Sequence, residues 1–356
     1  MNKPSRRSRG AITIEDVARS AGVSAMTVSR VINGGKNVRE STRSAVLEAV
    51  EQLRYSPNSA ARVLAAGEAS DVGLLYANPS AAYLSQFLIG ALKAARRSGT
   101  HLLLESCESE DPNEQAEVAR RLALSEVEGF ILPPPLSESQ PILSELALID
   151  MPFVTVALGL RQDYKLNVCI DDHAAAAEMT EYLIGLGHRR IGFIKGHPNH
   201  IASHDRERGF LATLAAHGIE LGEGMIEQGY FTYRSGLLAS ERLLSLEVKP
   251  TAIFASNDDM AAAAVSVAHR LGLSVPGDLS VVGFDDTAVA TTIWPELTTV
   301  RQPIAEMADA ALELLLAELA RRRTLDPRAD TERVLEHSLI VRDSAGAPNS
   351  SAEQSR

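Results

Sequence analysis

Hydrogen-bonding side chains recur through residues 24–33. Ser24, Thr27, Ser29 and Asn33 carry hydroxyl or amide groups that can bond to phosphate oxygens. Arg30 adds a guanidinium, which can pair with O6 and N7 of guanine and so discriminate between bases by about 1–3 kcal/mol. The hydroxyl and amide groups could equally cap helices or face solvent, so the elements around them decide between these roles.

The segment before these residues has the spacing of a helix. The apolar residues of 14–21 fall three and four positions apart, which places them on one helical face. Thr13 and Asp16 resemble a capping box at its start. Gly22 ends it, since glycine tolerates the left-handed conformation that reverses the chain.

Two further helices are predicted, one capped by Ser24 that spans about 25–33 and one that spans roughly 40–55. Their inward positions are apolar: Val28, Val31 and Ile32 in the second helix, and Val46, Val50 and Leu53 in the third. Two short helices joined by a tight turn and braced by a third predict a helix-turn-helix unit. A coincidental helical hairpin is the alternative.

The charge of the chain is unevenly distributed. The net charge is −11, but residues 1–66 carry eleven Lys or Arg against five Asp or Glu, or +6. The remainder holds 24 against 41, or −17. A basic head on an acidic body is consistent with a head that binds nucleic acid. Residues 1–11 lack periodicity and are predicted to be a disordered basic arm.

Beyond Asp71 short apolar runs alternate with amphipathic segments. The runs predicted as strands are 72–77, 101–106, 129–133, 153–157, 168–171, 191–195, 252–256 and 279–284. This alternation predicts parallel sheets with helices on both faces. Because so many strands exceed one compact sheet, the body, residues 71–343, is divided into two lobes. The polar residues 344–356 are predicted to be a disordered tail.

Several other chemistries find no support in the sequence. Cys107 and Cys169 are isolated, which argues against a disulfide framework and a thiolate metal site. His197, His200 and His204 lack a suitably spaced Cys or Glu, so a loop beside a binding site is favoured over a metal site. Without a catalytic motif, signal peptide or long apolar run, we expect a soluble, intracellular protein that is not an enzyme. We expect no cofactor, no metal and no contact with a membrane.

Longer blocks carry a resemblance to a known family. Residues 13–18, 21–24, 27–33 and 53–58 closely resemble the head of the lactose and galactose repressor family. The resemblance continues in the body with residues 185–192, 255–261, 282–286 and 297–303. These blocks follow one another in the order of the family from about residue 12 to residue 343.

The resemblance implies an organisation for the whole chain. An all-α helix-turn-helix head at 12–57 is followed by a hinge helix and linker at 58–70. The α/β body at 71–343 is implied to have the two-lobed architecture of periplasmic binding proteins, with doubly wound parallel sheets, and to bind the effector and dimerise. A homodimer, or a higher oligomer, would bind double-stranded operator DNA at a near-palindromic site.

The resemblance also implies further DNA contacts. Ala25 and Met26 match the pair that sets specificity in the family. Both are apolar here, so they can touch a thymine methyl group but cannot hydrogen-bond to a base edge through their side chains. In the hinge, Leu64 matches a leucine that wedges into the minor groove, and Arg62 can reach phosphates. A plain alanine-rich linker is the alternative.

Five body residues are implied to surround a ligand cleft: Tyr83, Arg206, Phe231, Asn257 and Asp285. Their chemistry suits a polyol, because Asp285 accepts hydrogen bonds from hydroxyls, Arg206 and Asn257 donate them, and an aromatic ring covers a sugar face. Each of these residues could instead be structural. Asp258 is expected to cap the helix that follows it.

The expected function is a cytoplasmic, nucleoid-associated repressor whose affinity for its operator is controlled by a small molecule, in the first place a sugar or glycoside. One alternative is a co-repressor-dependent regulator that senses a nucleobase or another metabolite. A sugar-binding protein without a regulatory role is the other alternative, and the basic head argues against it.

Overall fold

The computed structural model describes residues 14–32, 39–52, 70–159, 166–324 and 332–349. The chain divides into two compact units, one of Met1–Ala69 with Arg97–Gly99 and one of Ser70–Arg96 with Thr100–Arg356. We call residues 1–69 the head and the second unit the body. The predicted basic arm, Thr13, Asn33 and hinge residues 58–69 lie outside the described residues.

In the described part of the head, three helices pack around a small apolar core. They are α1 Ile14–Ala21, α2 Ala25–Ile32 and α3 Glu40–Gln52. The buried core residues are Val17, Ala18, Val28, Val31, Val46 and Ala49. Gly22 follows α1 with a φ of +66°, and the Ser24 hydroxyl accepts a hydrogen bond from the Thr27 amide at 3.2 Å. The turn and cap predicted for the helix-turn-helix unit are therefore present.

The body contains two six-stranded sheets. The strands are β1 Asp71–Tyr76, β2 His101–Ser106, β3 Gly129–Leu132, β4 Phe153–Val156, β5 Asn167–Cys169, β6 Ile191–Lys195, β7 Ile226–Gln228, β8 Ala252–Ala255, β9 Ser280–Asp285, β10 Thr298–Arg301, β11 Glu332–Val334 and β12 Ser338–Ile340. The first lobe has the order β11-β5-β4-β3-β1-β2, and the second lobe has the order β12-β10-β9-β8-β6-β7. The described strand pairs are parallel except β10 with β12.

Helices connect most of these strands, as the alternation of apolar runs predicts. They are α4 Ala81–Ser98, α5 Pro112–Ala123, α6 Gln140–Leu148, α7 Asp172–Gly185, α8 Ile201–Ala216, α9 Tyr233–Ser245, α10 Asp258–Arg270, α11 Val289–Thr292 and α12 Ile304–Thr324. None of the described helices is long and apolar enough to cross a membrane. Strands β7, β10, β11 and β12 were not predicted.

The chain passes between the lobes three times. It leaves the first sheet after β5, returns after β10, and crosses again between β11 and β12. Helix α12 follows β10 but packs against β3, β4 and β5 of the first lobe. These three connections hold the lobes next to each other, so that one cleft can draw residues from both.

The prediction of a disordered tail from residue 344 is wrong for the part of it that the structure describes. Ser344 is fully buried, its hydroxyl donates to the Val281 carbonyl at 2.5 Å, and it accepts from the Thr298 amide at 2.8 Å. The Gly346 carbonyl accepts hydrogen bonds from Ser280 and His188. Since these contacts are polar and involve main-chain groups, no apolar pattern in the sequence could indicate them.

Gly209 lets helices α7 and α8 approach closely, because a Cβ at this position would overlap the carbonyl oxygen of His173. We expect Gly209→Ala to force the helices apart and to lower the free energy of unfolding of the body by about 1–3 kcal/mol. Gly185→Ala is the matched control, since a Cβ there meets nothing within 4 Å. Calorimetric unfolding of both variants tests this, and equal stability would contradict the close packing.

Candidate functional site

The five body residues expected around a cleft line a single cavity between the lobes. Tyr83 comes from α4 of the first lobe, whereas Arg206, Phe231, Asn257 and Asp285 come from the second. Other lining residues follow strand ends: Asn78 after β1, Ala157 after β4 and Gln302 after β10. The cavity therefore lies at the carboxyl ends of parallel strands, where ligands bind in such sheets.

The space in this cleft has two parts. The inner cavity provides about 50 Å³, and an outer groove of about 770 Å³ shares Asn78, Pro79, Glu138 and His200 with it. Small-molecule sites usually provide roughly 300–1,000 Å³. A ligand that reaches the inner residues must therefore move the lobes or the side chains between them.

Arg206 lines the inner cavity and is 4% exposed. Its Nε donates to Asp172 Oδ1 at 2.7 Å, and its Nη1 donates to the Ser256 carbonyl at 2.6 Å. The guanidinium lies 3.6 Å from the centroid of the Phe284 ring and 3.8 Å from Asp285 Oδ1. Two of its five N–H groups therefore donate within the protein, one to the Ser256 carbonyl and one to Asp172, which sequence reasoning missed.

Asp285 is oriented by a second residue that sequence reasoning missed. Gln302 Nε2 donates to Asp285 Oδ1 at 2.6 Å, and both residues are buried. Burial raises the pKa of Asp285 to about 7, although Arg206 and Gln302 act in the opposite direction. Because Gln302 engages only Oδ1, the other carboxyl oxygen can accept from a ligand.

The prediction that Asp258 caps α10 is wrong, because Asn257 is the cap. Asn257 Oδ1 accepts from the Met260 amide, and its Nδ2 donates to the Phe231 carbonyl, both at 3.0 Å. Asp258 instead accepts from Thr299 Oγ1 at 2.7 Å and from the Thr287 amide at 2.7 Å. Burial and the charge of Asp285 raise the pKa of Asp258. Asp258 thus holds the start of α10 against Thr287, which follows β9, and against Thr299 in β10. Asn257 positions Phe231.

Tyr83 and Phe231 are the aromatic residues of the cavity. The Tyr83 hydroxyl is buried and has no hydrogen-bond partner among the described residues, and burial raises its pKa above the ordinary value. It therefore stays protonated and can donate to a ligand. The Phe231 ring stacks on His200, with centroids 5.5 Å apart.

Four of the six described non-glycine residues with a positive φ lie in or next to the cavity, while Glu126 and Asp150 lie elsewhere. Ala157, Phe231 and Asp285 line the cavity and have φ values of 60°, 59° and 108°. Asp286, the neighbour of Asp285, has a φ of 54°. Such left-handed conformations are costly for residues other than glycine and recur at ligand-binding sites.

The histidines considered for a metal site make other contacts. No group of three metal-ligating side chains occurs among the residues that the structure describes. His204 Nε2 donates to the Pro198 carbonyl at 2.6 Å, while His200 lines both parts of the cleft. Burial lowers the pKa of His200 to about 3, so its imidazole is neutral near pH 7.

Direct hydrogen bonds join the lobes beside the cavity. Both carboxylate oxygens of Glu138, in the first lobe, accept from the Ile201 amide at 3.0 and 3.1 Å. His200, the residue before α8, makes no side-chain cap, so Glu138 caps this helix from the opposite lobe. Ser80 Oγ donates to Asp259 Oδ2 at 2.5 Å. The helix that carries Arg206 is thus fastened to the first lobe.

In the head, the residues expected at DNA differ in exposure. Met26 is 67% exposed and Ser24 is exposed, whereas Ala25 packs against the head core and Thr27 is half-buried. Ser29 and Arg30 lie in α2, but their side chains are outside the described part. Asn33, Arg62 and Leu64 also lie outside it.

Comparison with known proteins identifies the family. Residues 13–58 match the lacI family of bacterial regulatory proteins, and residues 180–345 match a periplasmic binding protein-like domain. The catabolite control protein A of Priestia megaterium is 33% identical over 316 residues, which cover 88% of this chain and 94% of that protein. The chain belongs to the lacI family. The predicted family is therefore confirmed.

Two solved structures of lacI-family type resemble the chain closely. A complex of the transcriptional regulator CelR with cellobiose has a TM-score of 0.71 and 32% identity, and the match covers 94% of this chain and 100% of that one. The lac repressor dimer bound to operator and the anti-inducer ONPF has a TM-score of 0.69 and 26% identity. This match covers 95% of the present chain and 100% of the lac repressor chain. The predicted fold class and the function of a DNA-binding transcriptional repressor with an effector-binding body are confirmed.

The raised pKa of Asp285 predicts a pH dependence. Since this pKa is about 7 in the folded state and about 4 when unfolded, the folded state binds more protons between these values. Stability from this group is complete below pH ~4 and is lost as the pH rises through about 7, with a slope of at most about 1.4 kcal/mol per pH unit.

We expect Asp285→Asn to flatten this fall in urea unfolding of the body from pH 5 to 8. The exposed Asp343→Asn serves as control and should keep the slope of the parent protein. A slope in Asp285→Asn as steep as in the parent would contradict the assignment.

Proposed function

We propose that this regulator is a homodimeric repressor whose affinity for a near-palindromic operator is controlled by a carbohydrate that binds between the lobes. The observation that supports this most directly is the small inner cavity, which joins residues of both lobes and accepts a sugar only when the lobes or the side chains between them move. We also propose that it acts in the cytoplasm, at the nucleoid, and catalyses no reaction.

Ligand binding would be coupled to lobe movement. A ligand whose entry separates Glu138 from Ile201, or Ser80 from Asp259, has a different affinity for each arrangement of the lobes. A ligand shifts an equilibrium only through such a difference in affinity. An inducer would favour the arrangement that releases the operator, and a co-repressor would favour the arrangement that binds it. A nucleobase or other metabolite that acts as co-repressor is therefore the alternative.

The residues of the cavity would have distinct roles. Asp285 accepts from a ligand hydroxyl through its free oxygen, the Tyr83 hydroxyl donates, and Phe231 covers an apolar face of the ligand. Arg206 holds the second lobe together through Asp172 and donates only through its remaining hydrogens. The resemblance to the complex of CelR with cellobiose supports a carbohydrate.

In the head, Arg30 is proposed to read a base, and Ser24, Thr27, Ser29 and Asn33 to contact phosphates. Of the expected specificity pair, Met26 can meet a thymine methyl group, whereas Ala25 contributes mainly to the head core. In the hinge, Leu64 would enter the minor groove and Arg62 would contact phosphates.

Arg30 can be tested by two variants. Arg30→Ala should relax base preference at one symmetric operator position and weaken specific binding by about 1–3 kcal/mol. Arg30→Lys should relax the same position but preserve the dependence of affinity on salt, since the positive charge remains. Operator selection from a random library, with titrations at several salt concentrations, measures both. An unchanged preferred site in both variants would remove Arg30 from base recognition.

Tyr83→Phe separates stability from ligand recognition. Because the buried hydroxyl lacks a partner, its removal should leave the unfolding free energy unchanged or raise it by about 1 kcal/mol. If the hydroxyl donates to the effector, the same variant should need a higher effector concentration to change operator binding. Fluorescence anisotropy of operator DNA measures this response, and an unaltered response would exclude Tyr83 from the proposed contact.

A further inference from the structure

The charged side chains that line the cleft are mainly acidic. The outer groove is lined by Glu108, Glu110 and Glu138, and no Lys or Arg lines its described part. The inner cavity adds Asp285 and one cation, Arg206. A ligand therefore approaches through an acidic entrance and meets a single positive charge.

That positive charge is already neutralised within the protein. Arg206 bonds to Asp172 at 2.7 Å and lies 3.8 Å from Asp285. An anionic ligand could gain an ion pair with Arg206 only by drawing it away from Asp172, which is almost fully buried. A buried carboxylate without its partner is strongly unfavourable, so little attraction for an anion remains.

The histidines of the cleft do not add a positive charge that could attract an anion. His197 and His200 lie in the cleft, and burial lowers the pKa of both below the ordinary value. Asp259 lies close by, bonded to Ser80 of the first lobe, and adds another carboxyl group. The cleft thus offers many hydrogen-bond acceptors, which suit hydroxyl donors, and no free cation among its described lining residues.

We propose that the cleft selects its effector by charge and accepts neutral polyhydroxylated molecules while rejecting uronates, sugar phosphates and nucleotides. This inference rests on the proposed function, because it concerns the ligand of the same cleft. The rejection arises mainly from repulsion by Glu138, which is half-buried, and by Asp285, which is buried, because charges interact more strongly there than in water. Glu108 and Glu110 are exposed and contribute less. Glu138 has the largest effect among the entrance residues, since it lines both the groove and the inner cavity.

A panel of matched ligands tests the proposal on the full-length protein. It contains neutral sugars (glucose, galactose and cellobiose) and nucleobases, each with an anionic counterpart, namely glucuronate, galacturonate, glucose 6-phosphate, cellobionate and nucleoside monophosphates. Titration calorimetry at low and moderate salt should show that the neutral member of a binding pair binds at least about ten-fold more tightly. An anion that binds as tightly as its neutral counterpart, or more tightly, would overturn the proposal. Binding by no member would contradict the proposed effector function itself.

A charge variant tests the cause of the selection. Glu138→Gln keeps an oxygen that can accept from Ile201 but removes the negative charge, so it should reduce the preference for the neutral ligand by about ten-fold. Glu117→Gln, on the surface of α5 and outside the cleft lining, should leave the preference unchanged. An unaltered preference in Glu138→Gln, with the melting temperature of the parent protein, would refute selection by the entrance carboxylates.

Discussion

The ion pair between Arg206 and Asp172, almost completely shielded from water, is the interaction on which the cleft depends. Two charges that leave water together remain stable only when each finds its partner in good geometry. This requirement fixes α8 against α7, where Gly209 allows the helices to touch. The Ser256 carbonyl accepts a hydrogen bond from the same guanidinium, so the end of β8 is also held next to Arg206. Asp285 lies 3.8 Å from the same guanidinium and accepts a hydrogen bond from Gln302.

The fold was largely predictable because its signals are local. The helix-turn-helix unit could be predicted from apolar spacing, Gly22 and Ser24, each of which acts within one turn of chain. Buried strands could be predicted where apolar runs are long enough. Strands β7, β11 and β12 have three residues each and partly exposed side chains, so they carry no such run. Their pairing is decided by neighbours that are distant in sequence.

The candidate site was predictable only in part, for the same reason. Family resemblance brought Tyr83, Arg206 and Asp285 to one cleft, but it did not indicate what holds them. Asp172, Gln302 and Glu138 act through partners between 17 and 63 residues away in the chain. The sequence suggests a helix cap for Asp258 because only contacts with neighbouring residues can be recognised from sequence. Its bonds to Thr287 and Thr299 exist only once β9 and β10 have been assembled.

The three passages of the chain between the lobes have a consequence for how such a protein can change over time. Neither lobe corresponds to one uninterrupted stretch of the gene. Strand β11 of the first sheet follows β6–β10 of the second sheet in the chain, and β12 of the second sheet follows β11. A single genetic exchange between relatives therefore cannot transplant an intact lobe. New ligand preferences must arise by replacement of individual side chains, or by exchange of the whole body behind an unchanged head.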